Sequence, residues 1–503
     1  MLRKIFEFGF MTLLSRILGL VRDTLVAYVL GAQGLADVFL AAFRLPNLFR
    51  NYFAEGSLSV SFVPLYAKKL SNPKEASEFA NHIFSVLFVV LSSLCIILFI
   101  FLPKILAVFT PGFLGSHYKF SLTVDLSRIM LGYLLFISLG SVIGSILQAH
   151  NCFYVTAISP IVLNLCIIIS AIVPHYGLPV YYFSIAVSTA GVLQFIFSIF
   201  VAARKKLSIK LAPIKFDDAD KKAFAKRSGM SILSGCMTQI SIWINTVFAS
   251  FVPGAVSYFY YADRVTQLPQ ALIGVSMSTV LLPAIARLAR MGQTREMINM
   301  QNRALDLGVT LVMPAVVILT TVPNFVLLAL LNYGQFDYLA ITNTSPVLTV
   351  LSIALPSFVM SRILLLFFYT TGEFAIPAFA ALISLFINII FDNFIMKYYG
   401  HVGVAIGSTL ASWINVILLM TYLRRRGLYH VDDALLMKLA HVFVSSAVMV
   451  VVLCAMKVVV EPFFFQKPLM RILSLVGVIA SGLLAYFYTL LVVFGQKVTL
   501  TET

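Results

Sequence analysis

The stretches SRILGLVRD (15–23) and ADVFLAAFRLPNLFRNYFAEGS (36–57) place arginine and acidic residues inside otherwise apolar sequence. The stretch YFYYADRVTQLP (258–269) does the same further along the chain. An arginine at the centre of a bilayer costs at least about 2.5–3.5 kcal/mol, so such residues face a bundle interior or a wet cavity. A cationic cavity inside a membrane predicts an anionic cargo, because guanidinium groups bind phosphate and carboxylate well.

The composition is typical of a polytopic membrane protein. Of 503 residues, 60% are hydrophobic and 11% charged, whereas soluble domains are about 25% charged. Apolar runs long enough to span a bilayer recur throughout, and they predict an all-α protein with about fourteen transmembrane helices. The predicted spans are 5–30, 35–66, 77–103, 121–149, 153–173, 180–203, 226–250, 256–286, 302–331, 343–369, 374–396, 402–423, 434–456 and 469–494.

The basic residues indicate the topology. The net charge of +16 comes largely from lysines and arginines in alternate loops, among them 68–74, 204–227, 287–303 and 424–426. Such loops stay on the cytosolic side of a membrane. We therefore expect a multi-pass membrane protein with both termini in the cytosol. The charge does not indicate a nucleic-acid partner.

The sequence repeats at an offset of about 220 residues. SIAVST (184–189) matches VAIGST (404–409), and the basic runs 204–206 and 424–426 follow them. Each repeat holds six predicted spans, so the repeats are parallel, a layout that transporters use. We predict an N-terminal six-helix lobe (1–210), a C-terminal six-helix lobe (211–430) and two additional helices (431–503).

The charged residues in the apolar spans form the first candidate site. Arg16, Arg22, Arg50 and Arg264 outnumber the acidic partners nearby, and they are predicted to bind the anionic cargo. Asp23 and Asp37 are the acids of the same spans, and Asp37, near the outer end of its helix, is a candidate gate residue. The alternative is a set of buried ion pairs that fix helix packing, which fits Arg44 and Asp263 best.

A second candidate site lies in the C-terminal half. Asn388 and Asp392 are four residues apart and share a helix face, and Ser408 follows in the next span. Together with Asn245, they offer the oxygen ligands that a small hard cation prefers. The pattern predicts either coupling to Na⁺ or H⁺, with Na⁺ at Asp392, or an interhelical polar clamp.

Motifs of catalysis are missing from the sequence. There is no Walker A motif, GxSxG, HExxH or Rossmann glycine run. The five cysteines are dispersed and include no CxxC pair, which argues against a disulfide framework or a zinc site. A membrane transferase would need an acidic cytosolic loop, and its only candidates, Asp217, Asp218 and Asp220, stand among lysines. We therefore expect neither an enzyme nor a resident cofactor.

SRILGLVRD, ADVFLAAFRLPNLFRNYFAEGSLSVSFVPLY and YADRVTQLP resemble the MurJ/MviN lipid II flippases of the multidrug/oligosaccharidyl-lipid/polysaccharide exporter superfamily. The resemblance covers the whole chain. It implies two six-helix lobes, a groove for the lipid tail at the last two helices, and transport by alternating access. The implied cargo, undecaprenyl-pyrophosphate-linked disaccharide-pentapeptide, would move from the cytosolic to the outer leaflet for peptidoglycan synthesis.

The resemblance also implies residue roles and partners. Arg16, Arg22, Arg50 and Arg264 become cavity cations, Asp23 and Asp37 acids of the cavity or its gate, and Glu55 a gate residue. Membrane lipids and cell-wall synthesis proteins become the expected partners, and the bacterial cytoplasmic (inner) membrane becomes the expected location. Gln267 and Asn245 stand where some relatives have acids, which weakens the expectation of sodium coupling. The alternatives are a flippase for another polyprenyl-pyrophosphate oligosaccharide and a multidrug/cation antiporter.

Overall fold

The computed structural model describes residues 2–53, 57–152, 154–213, 224, 239–373, 375–429, 433–464 and 468–496. Within these ranges the chain forms helices and no β-strand, which confirms the all-α class. Eleven helical segments of the described chain are long and apolar enough to cross a membrane.

The described residues form two compact units. The first unit runs to Ser257 and includes 333–336, and the second comprises Tyr258–Asn332 and the chain from Asp337 onward. Seven helices of the first unit precede a helical stretch at 239–249. They are α1 (Leu2–Leu30), α2 (Leu35–Phe53), α3 (Ser57–Lys69), α4 (Pro73–Phe109), α5 (His117–Ala149), α6 (Tyr154–Ile172) and α7 (Pro179–Arg204).

The remaining helices lie in the second unit, apart from the first turn of α8. They are α8 (Ala255–Pro269), α9 (Ser276–Arg290), α10 (Thr294–Thr321), α11 (Pro323–Leu331), α12 (Tyr338–Ile353), α13 (Leu355–Thr371), α14 (Ala375–Tyr399), α15 (His401–Arg425), α16 (Asp433–Phe464) and α17 (Pro468–Tyr488). A π-helical segment, 270–275, joins α8 to α9.

Several predicted spans are divided in the structure. The predicted span 302–331 is two helices, because α10 ends at Thr321 and Pro323 begins α11. Proline lacks the N–H that a continuing helix needs, but it is well accommodated in the first turn of a new one. The predicted span 343–369 is likewise divided near Ala354, where α13 begins with a proline in its first turn.

Helix α5 lies at the centre of the first unit. It packs against α2, α3, α4 and α7, and its side chains at Leu126, Met130, Tyr133 and Leu134 are fully buried. Gly191 of α7 permits a close approach, since a Cβ there would lie 3.0 Å from the Cα of Tyr133. This packing holds the polar residues of α5 and α7 in fixed positions.

The two last helices pack within the second unit. Helix α16 contacts α10, and α17 contacts α11 and α16. The hydroxyl of Tyr486 in α17 is buried and donates to the carbonyl of Thr310 in α10 at 2.8 Å. A buried hydroxyl needs such a partner, so this bond fixes α17 against α10.

The sequence repeat has a counterpart in the hydrogen bonds. In the first unit, the Ser188 hydroxyl of α7 donates to the carbonyl of Ile129 in α5. In the second unit, the Thr409 hydroxyl of α15 donates to the carbonyl of Val350 in α12 at 3.0 Å. Both donor and acceptor are displaced by 221 residues between the two bonds, one residue more than the offset between SIAVST and VAIGST. The repeat therefore extends to a matching contact between corresponding helices.

Candidate functional site

A buried charge cluster joins α1 to α6 in the first unit. Nη2 and Nε of Arg22 donate to Oδ1 of Asp23 at 2.7 and 3.0 Å, and Nη1 donates to Oδ1 of Asn164 at 3.0 Å. The Asn164 amide in turn donates to the carbonyl of Ser15 at 2.9 Å. Arg22 and Asp23 are 8% and 5% exposed. Their pairing compensates for much of the cost of burying either charge.

Arg16 and Arg22 therefore have different surroundings, although both belong to α1. Arg16 is exposed, whereas Arg22 is part of the buried cluster. Arg16 and Asp23 are seven residues apart and lie on one face of α1, whereas Arg22 lies on another. The guanidinium of Arg22 nevertheless reaches the carboxylate of the next residue, because an arginine side chain is long enough to fold back beside its own helix.

Asp37 is buried at the start of α2, where its carboxylate accepts three hydrogen bonds. The donors are the backbone N–H of Gly254 at 2.7 Å, the N–H of Ser257 at 3.0 Å and the hydroxyl of Ser257 at 2.7 Å. Gly254 and Ser257 lie where α8 begins, and all three residues belong to the first unit. A carboxylate is stabilised at a helix N-terminus by its unpaired N–H groups and by the helix dipole.

Arg50 lies beside a pocket of about 70 Å³ in the first unit. Its Nε donates to Oδ1 of Asn47, one turn earlier in α2, at 2.9 Å. The pocket is lined from α2, α5, α6 and α7 by Arg50, Tyr133, Ile137, Gly140, Ser141, Gly144, Val155, Thr156, Ser159, Pro160, Gln194 and Ser198. One cationic side chain is thus combined with amide and hydroxyl groups in a space between four helices.

Arg264 lies in the second unit, in a chain of side-chain contacts along α8. Its Nη1 donates to Oε1 of Gln267 at 2.9 Å, and the Gln267 amide donates to Oδ2 of Asp263 at 2.6 Å. The guanidinium also lies over the ring of Tyr260, 4.7 Å from its centroid. Stacking on an aromatic face and amide hydrogen bonding orient a guanidinium. Gln267 thus links Arg264 to Asp263.

The second candidate site occupies the α14–α15 pair of the second unit. Asp392 is 0% exposed and Asn388 3%. Both carboxylate oxygens of Asp392, and the Ser408 hydroxyl in α15, have no hydrogen-bond partner in the described ranges. Gly407 lets the carboxylate lie against α15, because a Cβ there would collide with Oδ1 of Asp392. Buried carboxylate oxygens without donors favour a bound cation or a proton at this position.

Two predicted site residues are not placed with these clusters. Asn245 is in the helical stretch 239–249 of the first unit and is partly buried, so its unit differs from that of Asn388 and Asp392. Glu55 lies outside the described residues, as do the three loop aspartates considered for a transferase.

Comparison with known proteins decides the family. The family model described as "Lipid II flippase MurJ" matches residues 26–474. A relative from Rickettsia prowazekii strain Madrid E, named "Probable lipid II flippase MurJ", is 31% identical over 486 residues, which cover 96% of this chain and 95% of the relative. This chain belongs to the MurJ family of lipid II flippases.

Solved structures agree with this fold. A structure of "Lipid II flippase MurJ, inward closed conformation" matches with a TM-score of 0.77 at 24% identity, covering 96% of this chain and 99% of that one. An inward-facing multidrug transporter of the MATE family has a TM-score of 0.70 at 15% identity, covering 82% of this chain and 94% of that one. This chain therefore shares its fold with both transporters.

Membership in the MurJ family confirms several predictions. The chain is a multi-pass protein of the cytoplasmic membrane, and it is a transporter rather than an enzyme. The family match also favours lipid II flippase over a flippase for another oligosaccharide and over a multidrug/cation antiporter.

Three further residues of these clusters were not found from the sequence. Asn164 binds Arg22, Ser257 binds Asp37, and Gln194 lines the pocket beside Arg50. Each lies far along the chain from its partner, so no local pattern could identify it. A weak signal existed in each case, since a lone amide or hydroxyl in an apolar span needs a hydrogen-bond partner.

Proposed function

We propose that this chain translocates lipid II, the undecaprenyl-pyrophosphate-linked disaccharide-pentapeptide, from the cytosolic to the outer leaflet by alternating access. The observation that carries this proposal is the match of the lipid II flippase model to residues 26–474. The arginines in the apolar helices add a physical reason, because a pyrophosphate needs cationic partners within the membrane.

The four arginines have different proposed tasks. Arg16 and Arg50 of the first unit, and Arg264 of the second, contact the pyrophosphate or the carboxylates of the peptide. Arg22 adds positive electrostatic potential that favours the same anionic cargo. Its ion pair with Asp23 holds the guanidinium in place. Asp23 fixes the orientation of Arg22 through this pair, rather than meeting the anionic cargo.

Asp37 and Glu55 are proposed gate residues. The support for Asp37 is its set of three hydrogen bonds to Gly254 and Ser257, which a movement of the start of α8 would break. Repulsion between carboxylates and pyrophosphate argues against direct cargo binding by either acid. Cysteine pairs that crosslink the chain near Asp37 should block transport, and reduction should restore it. Continued transport by fully crosslinked protein would contradict the gate.

The α14–α15 pair is a proposed coupling site for Na⁺ or H⁺. Asp392, Asn388 and Ser408 provide carboxylate, amide and hydroxyl oxygens, which suit a sodium ion. The buried carboxylate of Asp392 supports this assignment because its oxygens need a counter-charge or a proton.

The organisation around these sites is also a proposal. Residues 1–210 and 211–430 form the transporting lobes, and 431–503 provide the groove for the polyprenyl tail. Both termini lie in the cytosol, where the basic loops are retained. Cell-wall synthesis proteins receive the cargo after translocation.

A depletion experiment tests the proposed function. Cells depleted of their own lipid II flippase should resume growth when this chain is expressed. Lipid II should then become accessible to an enzyme added outside the inner membrane. Expression at normal levels in the membrane, with lipid II still confined to the cytosolic leaflet, would contradict the proposal.

A further inference from the structure

An exposed ion pair lies where α5 packs against α4 in the first unit. Asp125 and Arg128 are three residues apart in α5, with Nη1 of Arg128 3.9 Å from Oδ1 of Asp125. Their side chains are 47% and 37% exposed. The guanidinium also lies over the ring of Phe99 in α4, 5.2 Å from its centroid. Both helices are long and apolar enough to cross a membrane, so exposed side chains of this helical hairpin face lipid.

The pair lies at membrane depth rather than at the tip of the hairpin. In α4, apolar side chains on both sides of Phe99 are more than half exposed, among them Ile96, Ile100 and Val108. Val108 is nine residues beyond Phe99, which is about 14 Å along a helix. The side chain of Arg128 leans toward the start of α5, as helical side chains do. Its guanidinium can therefore reach from the hydrocarbon toward the headgroups.

The protein alone does not satisfy these two charges. A separation of 3.9 Å is too long for a hydrogen bond. Nε of Arg128 is buried and has no hydrogen-bond partner in the part of the chain that the structure describes, so only the Nη groups are left to meet a ligand. Water would solvate such a pair at the surface of a soluble protein. At membrane depth a charged side chain needs another polar partner, and the headgroup of a lipid is the one within reach.

The order of the two charges along α5 selects the headgroup. A guanidinium binds a phosphate through paired N–H donors. Asp125 lies about one turn nearer the start of α5, farther from the membrane centre, and a carboxylate accepts hydrogen bonds from a primary ammonium. Phosphatidylethanolamine carries its phosphate next to the acyl chains and its ammonium beyond the phosphate. Phosphatidylglycerol would bring a second anion beside Asp125, and phosphatidylcholine has no N–H to donate.

We propose that Asp125 and Arg128 bind phosphatidylethanolamine, with the phosphate on the Nη groups of Arg128 and the ammonium on the carboxylate of Asp125. The ring of Phe99 orients the guanidinium, and the acyl chains lie along the exposed Ile96 and Ile100. In the proposed topology the turn between α4 and α5 is on the outer side, so the lipid belongs to the outer leaflet. The site goes beyond the proposed function, because it is separate from the arginines assigned to the cargo.

Lipid binding to the purified full-length protein tests the proposal. Delipidated protein in detergent is titrated with phosphatidylethanolamine, phosphatidylglycerol or phosphatidylcholine of identical acyl chains, and native mass spectrometry counts the bound lipids. Wild-type protein should bind phosphatidylethanolamine about tenfold more tightly than the other two, which is the effect of one charge-assisted hydrogen bond. Asp125→Asn should lose most of this preference, and Arg128→Gln should weaken the binding of all three lipids. The matched control Lys104→Gln removes a cation of the same hairpin that lies over Phe101, and it should keep the preference.

A variant with exchanged charges separates headgroup binding from a purely structural ion pair. Asp125→Arg combined with Arg128→Asp keeps two opposite charges at the same spacing but reverses their order. We expect a folded protein that does not prefer phosphatidylethanolamine. Equal binding of the three lipids by wild-type protein would mean an unselective lipid shell and would overturn the site. Tighter binding of phosphatidylglycerol, or displacement of phosphatidylethanolamine by an equal amount of lipid II, would overturn the assigned headgroup.

Discussion

The two units share a scaffold and differ in their buried polar chemistry. The bonds Ser188–Ile129 and Thr409–Val350 have the same sequence offset. In the first unit, Arg22 and Asp23 form a buried ion pair. In the second, Asp392 is a buried acid, and at the same offset the first unit has Ala171. A repeated fold therefore constrains helix packing, and each copy places different charges on it.

The largest effect is expected from breaking the charge cluster of the first unit. Arg22→Ala leaves Asp23 buried without its guanidinium partner, and the loss of one partner of a buried pair costs about 3–5 kcal/mol. We expect a strongly lowered melting temperature and no growth of flippase-depleted cells. Arg22→Lys should restore part of the stability but little transport, because lysine cannot form the same planar set of bonds. A stable, active Arg22→Ala protein would show that the cluster is dispensable.

The second prediction concerns the buried acid of the second unit. Asp392→Asn removes the charge and adds a donor where both oxygens have no partner in the described chain. If a cation binds here, sodium should raise the melting temperature of wild-type protein with increasing concentration, and the variant should lose this response together with much of its transport. A control is Ser384→Ala, which changes a buried hydroxyl elsewhere on α14. Sodium-independent melting with a fully active Asp392→Asn protein would leave only a polar clamp.

A smaller effect is expected from Asp37 of α2, whose carboxylate accepts hydrogen bonds from the start of α8. Asp37→Ala removes the carboxylate that accepts three hydrogen bonds from Gly254 and Ser257. This change should lower the free energy of unfolding by about 1–2 kcal/mol, as the loss of a helix cap does. Asp37→Asn keeps one acceptor oxygen and should lose less stability. If Asp37 serves a gate, Asp37→Asn should reduce transport more than its melting temperature suggests. Equal transport by Asp37→Asn and wild-type protein would argue for a structural cap alone.

The smallest effect tests the repeated scaffold itself. Ser188→Ala and Thr409→Val each remove one hydroxyl-to-carbonyl bond between helices, with an expected cost of about 0.5–1.5 kcal/mol. Because the two bonds lie in different units, the effects on unfolding free energy should add in the double variant. Thermal or denaturant unfolding in detergent measures this. A strongly non-additive result would show that the two bonds are energetically coupled although they lie in different units.

The sequence predicted the features that depend on local pattern. Long apolar runs predicted the helices, because a bilayer requires continuous apolar segments with satisfied backbone groups. The division of the predicted span at Pro323 was missed, since prolines also occur within membrane helices, as Pro314 does in α10. The acids and arginines were found because charge is costly in an apolar span.

Pairings between distant residues could not be predicted in the same way. Asp37 meets Ser257, and Arg22 meets Asn164, across separations of 220 and 142 residues. Only the packing of the helices brings these groups together. The sequence also could not show that the amide of Gln194 donates to the carbonyl of Ser159 in a neighbouring helix. Such roles follow from hydrogen-bond geometry, which amino-acid type alone does not specify.

The most direct test of the central claim measures translocation in vesicles. Purified protein in liposomes with lipid II is compared with a variant in which Arg16, Arg50 and Arg264 are all alanine, and with one in which all three are lysine. An enzyme added outside reports how much lipid II has crossed. We expect wild-type protein to move lipid II, the alanine variant to be inactive although folded, and the lysine variant to regain little activity. Undiminished translocation by the folded alanine variant would contradict the account.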